Sequence, residues 1–124
     1  MPTPASTRIV SEETIKWTNG SLFNGFILVE MSTLPTGLTY ATLAGYPLVR
    51  VPIFVKVPII DGVIASDVRI WQNASLSPPG NSVLSTTSYT LYWYDSTGTA
   101  RNGSSVAYFT SEEYTVAPPT LTSP

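Results

Sequence analysis

The stretch from Arg50 to Gln72, RVPIFVKVPIIDGVIASDVRIWQ, constrains the fold most. Val51, Ile53, Val55, Val57 and Ile59 fall on one face of an extended chain, and Pro52, Phe54, Lys56 and Pro58 fall on the other. A period of two marks a strand with one buried face. Asp61-Gly62 follows, and an Asp-Gly pair between apolar runs signals a hairpin, because both central residues of a type I′ turn need positive φ. Val63 to Trp71, rich in β-branched residues, then reads as the returning strand. Pro52 and Pro58 lack an N–H, so the first strand borders an edge or carries a bulge. Lys56, beside Phe54 and Pro58, suits a charge that guards an edge against self-pairing.

The rest of the chain follows the same grammar. Residues 1–11 read as a flexible N-terminal arm, with Ile9 and Val10 able to pair late or on a partner. Glu12 to Trp17 reads as a short edge strand, followed by an Asn19-Gly20 turn. Leu22 to Met31 is apolar on both faces, as expected of a central strand or one covered by a partner chain. Residues 32–49 hold Pro35, Gly37, Gly45 and Pro47, which exclude a helix. A short strand near Leu38 to Leu43 is expected there, or a loop that packs on another subunit. Asn73 to Thr87 reads as a loop, Ser88 to Tyr94 as a strand, and Asp95 to Gly98 as a turn. A second Asn-Gly turn is expected at Arg101 to Ser104, with strands at Val106 to Thr110 and Tyr114 to Ala117. Residues 118–124 form a proline-rich tail. Short strands with turn signals about every eight to twelve residues predict one all-β domain over residues 12–117. Its expected form is an antiparallel β-sandwich, immunoglobulin-like or related, of six to eight strands.

Composition narrows the partners. The 124 residues include 43% hydrophobic and only 11% charged residues, the latter against about 25% in typical soluble domains. Uncharged hydroxyls and amides must therefore dress the surface, as suits a β-rich extracellular or particle-surface protein. Six basic residues are scattered and the net charge is −2, so no cluster is available to neutralise a nucleic-acid backbone. No run reaches the roughly 20 apolar residues of a membrane helix. The N-terminal sequence lacks the apolar core of a signal peptide. The expectation is a protein that stays in the cytoplasm, leaves without a signal, or is released on lysis.

Little in the chain suggests catalysis. It has no His and no Cys, which removes the usual general base, thiolate metal sites and disulfides. Glu30 and Asp67 are the only acids inside predicted strands, and an outward-facing side chain or an ion pair with Arg69 or Arg50 explains them better than glycoside hydrolysis. No enzyme activity, cofactor or metal is expected. Asn19, Asn73 and Asn102 match the glycosylation triplet, but each also reads as a turn. The aromatic residues are the remaining clue. Tyr40, Tyr46, Trp71, Tyr92 and Tyr94 are candidate interface or ligand contacts. The alternative for each is sheet cover or cross-strand pairing in the core.

Residues Gly25 to Glu30, the run from Val51 to Asn73, Leu76-Ser-Pro-Pro-Gly and SYTLYWYDSTGT together resemble a β-sandwich module of tailed bacteriophages. That module recurs in minor tail proteins, tail fibres and head-surface proteins. The matching positions are Pro52, Asp61, Gly62, Asn73, Pro78, Gly80, Tyr89, Tyr92, Asp95 and Gly98, and the likeness spans about residues 20 to 117. The resemblance implies a structural or adhesive role on a virion assembled in the host cytoplasm. Its partners would be copies of itself and other virion proteins. A carbohydrate- or receptor-binding module, holding a host surface glycan on exposed aromatic rings, is the alternative.

Overall fold

The computed structural model describes residues 5–32, 40–43, 46–52, 54–77 and 88–122. Among them the protein is all-β, with ten strands, one 3-10 turn at Asn73–Ser75 and no α-helix. The strands are β1 (Ser6–Ser11), β2 (Gly25–Ser32), β3 (Tyr40–Leu43), β4 (Tyr46–Pro52) and β5 (Phe54–Ile59). They continue as β6 (Arg69–Trp71), β7 (Leu76–Ser77), β8 (Ser88–Asp95), β9 (Ala100–Ala107) and β10 (Glu113–Val116). Three sheets result, ordered β10-β1-β6, β5-β2-β8-β9 and β4-β3-β7. Every ladder is antiparallel except the pairing of β1 with β10, which is parallel.

The four-stranded sheet is the frame. β2 lies between β5 and β8, as its two apolar faces require. Ile27, Val29 and Met31 of β2, Val57 and Ile59 of β5, and Tyr89, Leu91 and Trp93 of β8 are buried. They join one core with Ile9 of β1, Ile70 of β6, Ala41 of β3 and Val51 of β4. Phe109 links the layers. Its ring lies 4.7 Å from Tyr89 and 4.9 Å from Tyr114 of β10, and its N–H donates to Asn73 Oδ1 at 2.8 Å. The Tyr89 hydroxyl donates to the Trp71 carbonyl at 2.7 Å, tying β8 to β6.

The Asp61-Gly62 turn forms as expected, with φ of 49° and 76°, and Ile60 and Val63 exchange two hydrogen bonds of 3.0 Å. The hairpin stops there. Gly62 donates to the Phe23 carbonyl and accepts from Ile15 N–H, both at 2.8 Å, which docks the turn on the segment before β2. The returning chain leaves β5, whose second edge has no partner strand among the described residues, crosses to the other sheet and pairs with β1 over Arg69–Trp71. The run from Arg50 to Ile59 is likewise divided. β4 pairs with β3, while β5 pairs with β2. This division and the short β6 and β7 give ten strands where six to eight were expected. Both β4 and β5 end a sheet order, which agrees with the edge position inferred from the two prolines.

Four other expectations are corrected. Residues 6–11 are not a flexible arm: β1 is the middle strand of its sheet. Thr7 and Ile9 alternate into the core, and the Thr7 hydroxyl donates to the Ser111 carbonyl at 2.5 Å. The C-terminal segment is anchored as far as Leu121, which is buried and whose carbonyl accepts the Thr18 N–H at 2.8 Å. Asn102-Gly103 makes no turn, because Asp95 to Thr99 has already reversed the chain. The two residues are instead absorbed where the β8–β9 register shifts between Tyr92↔Ser104 and Trp93↔Arg101, an irregularity of the β-bulge kind. The strand expected between Glu12 and Trp17 reduces to a single bridge, Lys16↔Leu22.

Candidate functional site: the outward face of the four-stranded sheet

Alternation in β2, β5 and β8 sends one set of side chains into the core and leaves the other facing away from it. Cross-strand register arranges the second set in rows. Phe26 is level with Pro58 and Tyr94. Leu28 is level with Lys56 and Tyr92, and Tyr92 with Ser104 of β9. Glu30 is level with Phe54 and Thr90, and Thr90 with Val106. Phe26, Leu28, Tyr92 and Tyr94 are half-buried, while Phe54 and Val106 keep 49% and 62% of their surface exposed. An outward sheet face on a monomer is normally polar. Here aromatic and aliphatic groups occupy most of it, and contiguous apolar surface of that kind marks an interaction site.

The face is also ordered. The Phe26 and Tyr94 rings stack at 5.0 Å with 13° between planes. Lys56 Nζ lies 4.2 Å from the Phe26 ring centre, a cation–π contact that holds the ammonium over apolar surface. Rings fixed in this way lose little rotamer freedom when a partner covers them.

Of the five sequence candidates, the structure brings two together. Tyr92 and Tyr94 share this face. Tyr40 is half-buried in β3, with the Arg50 guanidinium 4.5 Å from its ring centre. Trp71 packs against the core at the end of β6. The side chain of Tyr46 lies outside the described residues, as do Pro78 and Gly80. Sequence reasoning missed Phe26, Leu28 and Val106 as members of the face. The signal was the period of two in each strand, but the cross-strand register that aligns them was not legible.

The acids carry no convergent site. Among the described residues no group of three or more His, Cys, Asp or Glu side chains is placed to hold a metal ion. Asp67 pairs with Arg69 at 3.3 Å, one of the two ion pairs foreseen for it. Glu30 sits in the outward face beside Phe54 and Thr90. Asn73 is nearly buried, and its Oδ1 accepts from Phe109, so its amide is structural.

Asp95 is the one strongly perturbed carboxylate. Its Oδ1 accepts from the Thr97 hydroxyl at 2.6 Å, Thr97 N–H at 2.9 Å and Thr99 N–H at 3.0 Å, and its Oδ2 accepts from Arg101 Nε at 2.8 Å. The Thr97 hydroxyl first, then the Thr99 N–H and Arg101, hold the carboxyl well below its usual range, against the opposing effect of burial. With its acceptor sites filled, Asp95 closes the β8–β9 hairpin and is not free for chemistry. A depressed folded-state pKa favours the folded form above the unfolded carboxyl pKa of about 4, and the gain disappears as pH falls toward the folded value. We therefore expect the urea midpoint to drop below about pH 4. Asp95→Asn should be less stable at neutral pH and lose much of that slope. Parallel curves for the two proteins from neutral to acid would refute the assignment.

Comparison with protein-family models, curated proteins and solved structures gives no significant match for this chain.

Proposed function

We propose that the chain is a structural protein of a bacteriophage virion, a tail, fibre or capsid-surface component that works by contact between subunits. The observation that carries this reading is the outward face of the four-stranded sheet, where Phe26, Leu28, Phe54, Tyr92, Tyr94 and Val106 lie beside few charges. Burial of such a face gains roughly 25 cal/mol per Å² of apolar surface. The scattered basic residues and the absence of His and Cys fit a role that needs no reaction chemistry. The resemblance of the sequence to tail-protein modules suggests the context.

The glycan-binding alternative draws on the same aromatic residues but fits them less well. The Phe26 ring is already engaged by Tyr94 and by Lys56, whereas a sugar platform keeps a ring face open for stacking. Binding on a glycan array would favour that alternative.

Mass spectrometry of virus particles purified from a lysate of the host tests the proposal. The chain should co-purify at a fixed ratio to capsid and tail proteins and resist a high-salt wash. Particles of full infectivity that lack the chain would overturn it.

A further inference from the structure

β9 ends the four-stranded sheet, and among the described residues no strand pairs with its outer edge. Unpaired backbone along a strand is a template for another chain, and proteins normally blunt it with proline, charge or brevity. The other outer strands are blunted. β5 carries Lys56 and Pro58, β4 carries Pro47 and Pro52, and β10, β6 and β7 have only four, three and two residues. β9 is eight residues long and contains no proline, and past the irregularity at Asn102-Gly103 its register is regular from Ser104 to Ala107. Its one charge, Arg101, is tied to Asp95. From Ser104 onward the sequence SSVAY is uncharged, with Val106 at 62% and Tyr108 at 65% exposure.

We propose that β9 is the seam between two copies of this chain, paired antiparallel to the β9 of a second copy across a two-fold axis centred on Val106. The proposal rests on the assembly reading and names the edge that joins. Centring on Val106 sets it against its own counterpart and sets Ser104 against the other copy's Tyr108. Both exposed apolar side chains are then covered, and no like charges meet. A second copy suits this edge better than either terminal segment. Pro2 and Pro4 at one end, and Pro118, Pro119 and Pro124 at the other, lack the N–H that a continuous ladder needs. The joined β9 strands carry the outward faces of two sheets into one eight-stranded surface. A ladder this short falls below the roughly 1,200 Å² of stable complexes, so the pair is weak in solution and is strengthened by repetition on a particle.

The full chain permits a clean test because it has no native cysteine. Directly opposed residues in an antiparallel pair have Cα atoms about 4.5–5.5 Å apart, within disulfide reach. Val106→Cys should form a disulfide-linked dimer under mild oxidation, while Leu48→Cys, exposed on β4, should not. In sedimentation equilibrium, Val106→Lys should raise the dimer dissociation constant about tenfold or more, with an unchanged melting temperature. Dimers that persist in Val106→Lys, with no preferential link at Val106→Cys, would overturn the seam and leave the assembly reading standing. A wild-type chain that stays monomeric and is absent from particles would remove both.

Discussion

Replacement of Gly25 by alanine lowers the stability of this protein by about 3 kcal/mol or more. β2 starts at Gly25, which is paired with Asp95 on one side and Ile59 on the other. A Cβ there would lie 2.0 Å from the Tyr94 carbonyl oxygen and 2.9 Å from the Asp95 Cα. Both obstacles are backbone, and the four bonds to the Asp95 carboxylate pin that end of β8. The ladder therefore has to open where the frame sheet begins. For a domain stable by about 5–15 kcal/mol, this is a large share of the total. The urea midpoint should fall steeply with little change in slope. Gly98→Ala is the control. Its added methyl meets nothing within 4 Å, and only the φ of 81° costs energy, about 1 kcal/mol. Equal losses for the two variants would contradict the packing at Gly25.

Phe109→Ala should cost about 3–5 kcal/mol. The side chain is 1% exposed. Its ring contacts Tyr89 of the four-stranded sheet and Tyr114 of the sheet that holds β1. Its backbone exchanges hydrogen bonds with Asn73, at 2.8 Å to the side chain and 3.2 Å from the Asn73 N–H. Removal of the ring leaves a cavity where it met Tyr89 and Tyr114. Near-ultraviolet circular dichroism from Tyr89 and Tyr114 should weaken along with the melting temperature. A loss below about 1 kcal/mol would mean that the sheets are joined elsewhere.

The parts of the fold written in local patterns were legible. The period of two in Val55, Val57 and Ile59 gave the buried face of β5. The positive φ demanded at Asp61-Gly62 gave the turn, and the doubly apolar Ile27–Met31 run gave the central strand. What failed was pairing. Nothing local told that Val63 leaves β5 for a different sheet, since the partners that hold the turn and the returning chain, Ile15, Phe23 and β1, lie far along the sequence. Ile9 carried its apolar signal within a short, proline-flanked segment, and only its partners β6 and β10, far along the chain, make it a core strand. Asn102-Gly103 had the chemistry of a turn, but the chain had reversed a few residues earlier. The candidate site divided along the same line. Tyr92 and Tyr94 could be assigned to one strand face from the sequence. Their neighbours Phe26, Leu28, Phe54 and Val106 come from three other strands and meet them only through register.

On the proposed reading, this outward face is covered by another subunit. Sedimentation equilibrium of the purified chain from micromolar to millimolar concentration, beside the double variant Phe54→Ser/Tyr92→Ser, tests it most directly. The wild type should associate with rising concentration. The variant should associate clearly more weakly, keeping at most the weak β9 pairing, with its near-native melting temperature retained, because the serines remove apolar surface from the outside of the sheet and not from its core. A wild-type chain that remains a monomer throughout, indistinguishable from the variant, would contradict the account.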